Sequence, residues 1–198
     1  MKNQNPLAHQ HDIRSLLRFA APSIGMMLMI SLYTVTDGIF IGRYAGSEAL
    51  AASNIVYPAI NLVLGLAIML AAGGSALVAR TLGEGNSRLA SQRFTLIVCT
   101  AAVLSTVLAL LLALFMTPVL GFLGASPLLY EDCVRYLGVL LPFYPAAALM
   151  MVFNAFFIAD GKPMQGFLIS LVSGVVNATL DYVFLAHMGW GVLGAGLA

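Results

Sequence analysis

Long stretches without any formal charge constrain this chain more than any other feature. Residues 49–79, 94–130 and 136–159 contain no Asp, Glu, Lys or Arg, and a single acid interrupts each of two further apolar stretches. A helix needs about 20 apolar residues to cross the hydrocarbon core of a bilayer. Charged residues make up 9% of the chain, whereas a soluble domain contains about 25%. The sequence therefore predicts a membrane protein.

The positions of the charges set the predicted helix boundaries. Apolar runs of this length favour α-helices, because barrel strands alternate polar and apolar residues over about ten positions. The predicted fold class is therefore all-α, a polytopic helical bundle in the membrane. We predict five transmembrane helices and the start of a sixth near Gly191. The five lie near residues 15–41, 55–79, 92–116, 132–158 and 163–186.

Lysine and arginine residues are distributed unevenly between the two ends of these helices. With the N-terminus inside, seven of them lie at cytoplasmic ends and two, Arg43 and Arg135, at outer ends. Because positive residues concentrate in cytoplasmic loops, we predict a multi-pass protein of the plasma (inner) membrane with a cytoplasmic N-terminus. Residues 1–12 form a polar tail on that side. The net charge of +1 does not suggest nucleic-acid binding, and His9 and His11 lack a third ligand nearby, so no metal is assigned.

Two acids interrupt otherwise apolar helices. Asp37 lies six residues before Arg43, and Asp181 lies six residues before His187, so each sits about 9 Å below the predicted outer boundary. A charged Asp in hydrocarbon costs about 2.5–3.5 kcal/mol, and such residues usually face a cavity or a partner. We therefore predict that Asp37 and Asp181 share one site. The alternative is that each acid caps its helix or reaches toward the outer interface.

Three further polar side chains fall near this level. Asn177 precedes Asp181 by four residues and Tyr33 precedes Asp37 by four, so each lies one turn deeper on the same helix face. Asn61 falls in the outer half of the second helix. Carboxylate and amide oxygens are hard ligands that suit a proton or an alkali cation rather than a soft metal. For Tyr33 and Asn61, an interface aromatic and an interhelical hydrogen bond are the simpler interpretations.

Prolines interrupt three of the five predicted helices. A proline in a membrane helix frees a backbone carbonyl and kinks the helix axis. Such kinks either serve packing or allow bent helices to line a cavity and rearrange. The four positions are Pro22, Pro58, Pro142 and Pro145.

A series of short motifs runs along the chain in a fixed order and spacing. The motifs are Pro22, Thr36-Asp37-Gly38, Gly42-Arg43-Tyr44-Ala45-Gly46, Gly83-Glu84-Gly85-Asn86, Asp160-Gly161-Lys162-Pro163, Asn177-x-x-x-Asp181 and Gly191-Val192-x-Gly194-Ala195. From about Ile13 to the last residue, this series resembles the multidrug and toxic compound extrusion (MATE) family. Within that family, the likeness is greatest to the bacterial branch that includes the staphylococcal exporter MepA.

The resemblance implies an antiporter that is coupled to H⁺ or Na⁺, uses no other cofactor and expels bulky, often cationic, amphipathic drugs. Family members have twelve helices in two six-helix lobes. Residues 13–198 match the N-terminal lobe only and end inside its sixth helix, so the C-terminal lobe is missing and we do not expect the fragment to transport alone.

The resemblance also implies functional residues. In relatives the cation site joins an Asp of the first helix, an Asn and an Asp of the fifth, and a hydroxyl of the sixth. Asp37, Asn177 and Asp181 match the first three, and the hydroxyl would lie beyond Ala198. Tyr33 and Asn154 match positions that line the cavity of this lobe in some relatives.

Three alternatives remain beside the exporter. A flippase of the same superfamily would move lipid-linked precursors, but such proteins tend to line their cavity with cationic residues, and no Lys or Arg lies in mid-helix here. An intramembrane aspartyl protease needs Tyr-Asp and Gly-x-Gly-Asp, and neither motif surrounds Asp37 or Asp181, so we do not expect an enzyme. The third alternative is a non-transporting structural or assembly role for the half-length chain.

Overall fold

Helices account for almost all of the regular structure in the computed structural model, which describes residues 13–198. The α-helices are α1 (Ile13–Phe40), α2 (Ser47–Gly83), α3 (Ser87–Leu114), α4 (Met116–Phe122), α5 (Tyr130–Leu140), α6 (Tyr144–Ala159), α7 (Pro163–Asp181) and α8 (Gly191–Leu197). Two π-helical segments, π1 (Ile41–Ala45) and π2 (Tyr182–His187), and a 3-10 turn (Leu141–Phe143) complete the order. The predicted tail of residues 1–12, with His9 and His11, lies outside the described residues.

Five stretches of the described chain are long and apolar enough to cross a membrane. They are Ala20–Ala45, Ser47–Gly83, Ser87–Leu114, Tyr130–Ala159 and Pro163–His187. The predicted all-α class with five transmembrane helices is therefore confirmed. The short helix α8 follows where we predicted that a sixth helix begins.

Two helices begin earlier than the charge pattern predicted. Helix α2 begins at Ser47 rather than near residue 55, with Glu48 in its first turn, where the helix dipole favours an acid. Helix α3 begins at Ser87 rather than near residue 92, because the Asn86 side chain caps it by accepting a hydrogen bond from the Leu89 N–H at 3.1 Å. The charges near these ends therefore belong to the helices rather than to the loops.

The loop after α3 contains a helix that we did not predict. Residues 117–131 contain two prolines and two glycines, and α3 ends before them, at Leu114. A separate two-turn helix, α4, then spans Met116–Phe122. Pro118 lies in its first turn, where the missing N–H costs no helical hydrogen bond.

The helices pack into one lobe with two apolar clusters. Helix α1 packs along α7, and α2 packs on α3, α5 and α6. One cluster joins α2, α5 and α8, and the other joins α2, α3 and α6. Small residues allow the close approaches: a Cβ atom built on Gly74 of α2 would lie only 2.8 Å from Cγ2 of Ile97 of α3.

The two ends of the lobe differ in charge. We call the end that carries Arg80, Arg88, Arg93 and Lys162 the basic end. The opposite end, which we call the far end, carries π1, α4 and π2. Under the positive-inside rule the basic end is the expected cytoplasmic end.

The four prolines occupy different helical environments. Pro22 and Pro58 lie inside α1 and α2, both of which continue through them. Pro142 lies in the 3-10 turn that separates α5 from α6, and Pro145 follows in the first turn of α6. The fourth transmembrane stretch is therefore two helices joined at its middle by this turn.

Candidate cation site

The site forms where the far-end halves of α1 and α7 meet. Asp37 lies in the last turn of α1, and Asp181 is the last residue of α7. Asp181 is completely buried, with 0% of its surface exposed, and Asp37 is half-buried. The two carboxylates are close enough to interact electrostatically. The structure therefore brings together the two acids that the sequence placed at one depth.

Each acid is followed closely by a π-helical segment. Segment π1 begins four residues after Asp37, and π2 begins directly after Asp181. The Gly46 N–H donates to the Ile41 carbonyl at 3.1 Å, and the Met188 N–H donates to the Val183 carbonyl at 2.9 Å, as the wider turn requires. Single π turns are rare and occur frequently at functional sites. The charge and hydropathy patterns gave no signal for either segment.

Four oxygen atoms at this site are buried without a hydrogen-bond partner in the described part of the chain. They are Oδ1 of Asp37, Oδ1 of Asn177, and both carboxylate oxygens of Asp181. Most buried polar groups in folded proteins are hydrogen-bonded, so a group of unpaired acceptors indicates a bound ion or water. Carboxylate and amide oxygens are ligands that suit a hard monovalent cation, and they can also accept a proton.

The geometry argues against helix capping as the role of Asp181. Its side chain makes no capping hydrogen bond to the turn that follows. A carboxylate that reached to the interface would also be exposed, whereas Asp181 is not. For Asp37, the buried and unpaired Oδ1 points to the same conclusion.

Two tyrosines surround the acids, and sequence reasoning found only one of them. The Tyr33 ring packs on α7, with its Cδ1 3.8 Å from the position that a Cβ atom on Gly174 would occupy. Tyr136 of α5 is 7% exposed and close enough to both carboxylates to interact electrostatically. Tyr136 directly follows Arg135, which the sequence places at an outer end, so predicted depth gave no signal that could have identified it.

The remaining candidates lie apart from the acids. Asn154 of α6 is buried but lies only five residues before the end of its helix at the basic end. Asn61 of α2 is exposed, so it is not part of the buried group that we predicted at one level. Whether Asn61 and Asn154 line a substrate cavity stays a prediction.

Helix α8 packs on α5 and π2 through small residues. Gly194, Ala195 and Gly196 are buried. A Cβ atom on Gly194 would lie 3.1 Å from Cβ of Phe184, three residues after Asp181.

The fold and the site define a polytopic helical membrane protein that encloses a pair of buried acids. The family model MatE matches residues 22–183, so the chain belongs to the MatE family. The relatives whose names state a function are transporters rather than enzymes. Membership of the branch that includes MepA stays a prediction.

Relatives match this chain over part of their length. The FAD transporter of Shewanella oneidensis is 26% identical over 194 residues, which cover 96% of this chain and 42% of that protein. Multidrug and toxin extrusion protein 1 of Mus musculus is 27% identical over 198 residues, covering 94% of this chain and 33% of that protein. The crystal structure of MATE in complex with MaD3S superposes with a TM-score of 0.90 at 23% identity, covering 100% of this chain and 44% of that one. The chain therefore spans less than half the length of each of these proteins.

Proposed function

We propose that this chain is the N-terminal lobe of a cation-coupled exporter, which moves amphipathic, often cationic compounds out of the cell in exchange for H⁺ or Na⁺. The observation that carries the proposal is the group of four buried acceptor oxygens on Asp37, Asn177 and Asp181 that lack partners within residues 13–198. A second lobe would complete the transporter and the cleft between the lobes. The N-terminus and the basic end would face the cytoplasm across the plasma membrane.

Coupling needs a difference in ion affinity between two shapes of the lobe. Binding H⁺ or Na⁺ would neutralise charge between α1 and α7, and losing it would leave two carboxylates facing each other. The ion and the exported compound then compete if each prefers a different arrangement of these helices. The acids would bind the ion, and Asn177 and Tyr136 would orient and enclose it.

The charge of the lobe supports a cationic substrate. No Lys or Arg occurs in residues 44–79, 94–134, 136–161 or 163–198, so a phosphate group would find no positive partner inside the lobe. This argues against a flippase for lipid-linked precursors. The name of the Shewanella relative supplies a second candidate substrate, FAD. Because FAD is an anionic dinucleotide, its transport would need basic residues from elsewhere in the complete protein.

Ethidium efflux from cells that express the complete protein tests the proposal. We would compare the wild type with Asp181→Asn, and use Glu48→Gln as the matched control, at equal membrane levels. Glu48 is an exposed acid at the same end of the lobe, so it controls for the loss of one charge. We expect Asp181→Asn to abolish efflux and Glu48→Gln to leave it unchanged.

The other outcomes separate the alternatives. Efflux that survives Asp181→Asn would keep the exporter and remove the carboxylate from its mechanism. If no variant exports ethidium but the wild type releases FAD, the second candidate substrate replaces the first. If neither compound moves, a non-transport role is favoured.

A further inference from the structure

A second group of unpaired polar atoms lies below the acid pair, nearer the basic end. Oγ of Ser170 and Oδ1 of Asn154 are buried and have no hydrogen-bond partner among the residues from 13 onward. Ser170 is 3% exposed and Asn154 is 8% exposed. Neither atom belongs to the cation site described above. Buried acceptors of this kind usually bind an ordered water molecule.

These two side chains continue the line of the acid site along α7. Ser170 lies seven residues before Asn177 and eleven before Asp181, a spacing that places all three on one helix face. Gly166 lies on the same face one turn further, and a Cβ atom there would be 3.7 Å from Oδ1 of Asn154. The polar groups therefore form a row from the acids to within two turns of the basic end.

The unpaired oxygens of this row do not bond to one another, so water is the group that can bridge them when the helices move enough to admit it. Residues one turn apart have Cβ atoms about 5–6 Å apart. The longer gap between Asn177 and Ser170 is about 10 Å along the helix. Tyr33, whose ring packs at Gly174, and the half-buried Ser173 lie within that gap.

We propose that Ser170 and Asn154 hold water molecules that carry the coupling proton between the acid pair and the basic end. This inference rests on the proposed function. A carboxylic acid of the pair gives its proton to the adjacent water and becomes a carboxylate. Each water or hydroxyl along the row accepts a proton on its oxygen and releases one of its own, so one proton leaves at the basic end and no other bond changes.

The row suits a proton better than a sodium ion. Hard metal cations take several oxygen ligands at once, whereas the row between Asn177 and the basic end offers one hydroxyl and one amide as its fully buried oxygens. A proton needs only one acceptor at each step. The row is also too buried for a hydrated cation to pass in this arrangement of the helices.

Water in the row can be detected independently of transport. In the complete protein with Cys99→Ala, we would add Ser170→Cys or, as the control, Ser105→Cys, and apply methyl methanethiosulfonate, a small uncharged reagent. Ser105 is equally buried, at 4% exposed, but its hydroxyl already donates to the Ala101 carbonyl at 2.6 Å. Because the reactive thiolate forms only where water reaches it, we expect Ser170→Cys to react about tenfold faster or more. Equal rates would overturn the proposal.

Proton movement in liposomes tests the function of the row. We would compare Ser170→Ala with Ser105→Ala in the complete protein, using an internal pH dye and external ethidium. We expect the ethidium-driven proton flux of Ser170→Ala to fall about tenfold while its ethidium affinity stays within about twofold, since a removed relay affects transfer and not binding. An unchanged flux, an equal loss of affinity, or transport driven by Na⁺ rather than H⁺ would overturn the proposal. If the wild type moves neither ethidium nor protons, the proposed function fails as well. If the variant transports ethidium normally and its proton flux is unchanged, only the proposed proton path is refuted.

Discussion

The buried acid pair predicts that Asp181→Asn stabilises the folded protein. Asp181 is 0% exposed, and both of its carboxylate oxygens lack a partner within the described chain. The substitution replaces one unpaired acceptor with an amide N–H donor beside two further unpaired acceptors, on Asp37 and Asn177. An unsatisfied buried group costs about 1–3 kcal/mol. We therefore expect the variant to gain about 1–3 kcal/mol when no coupling ion is bound.

The gain should disappear when the wild type binds its ion. A ligand at 100 times its dissociation constant stabilises the folded state by about 2.7 kcal/mol, a value similar to the predicted gain. Only the wild type retains the full carboxylate pair that binds the ion. The difference between the two proteins should therefore shrink as Na⁺ is added or as the pH is lowered, depending on which ion occupies the site.

Thermal unfolding in detergent measures this effect. For chains of 150–250 residues, 1 kcal/mol shifts Tm by about 2–4 °C, and the shift is smaller for a longer protein. We expect Asp181→Asn to raise Tm by about 2–5 °C without ion. The control Glu48→Gln should not raise Tm and should lower it slightly, because Glu48 lies in the first turn of α2. The reasoning is refuted if Tm does not rise, or if the rise persists at saturating Na⁺ and at low pH.

Two further predictions concern packing within the lobe. Gly74→Ala should cost about 1–3 kcal/mol, because its Cβ atom would overlap a side chain of α3. Gly73→Ala should instead stabilise by up to about 1 kcal/mol, because nothing lies within 4 Å and alanine is the better helix former. Equal values in a denaturant titration would contradict the α2–α3 contact. Leu137→Ala should cost about 2 kcal/mol, near the low end for soluble cores, since no transfer from water contributes in lipid. Leu137 is 0% exposed and the control, Leu110, is 65% exposed, so Leu110→Ala should leave unfolding unchanged.

Helix existence and depth could be predicted from the sequence because the membrane imposes both. An apolar run must be about 20 residues long to span the bilayer, and the fixed rise of a helix converts residue number into depth. These two facts place Asp37 and Asp181 at one depth with Asn177 one turn deeper, and the structure places the helices that carry them side by side. The boundaries failed where charges lie inside the first turns of helices, as Glu48 and Arg88 do. There the helix dipole, a cap or the interface accommodates the charge.

Lateral position could not be predicted, because depth does not reveal which helices are neighbours. Tyr136 was missed because it directly follows Arg135, which the sequence places at an outer end, and nothing in the sequence shows that its side chain lies near the acids. Asn61 was grouped with the acids by depth, yet its side chain lies on an exposed face of α2. The two π segments depend on local backbone geometry, which hydropathy does not report. A single sequence thus predicts the depth of a polar residue in the membrane much better than the neighbour that its side chain faces.

The location of the unpaired atoms indicates how a lobe of this kind can couple an ion to a change of shape. All of the unpaired oxygens of the acid site lie on α1 and α7, which pack along each other. Their electrostatic cost therefore falls on one helix pair, whereas the apolar cluster that joins α2, α3 and α6 contains no residue of either helix. Each acid also adjoins a π turn, where one backbone hydrogen bond can change its partner without unfolding the helix. Ion binding would thus act on the one interface whose stability depends on charge, while the rest of the lobe keeps its shape.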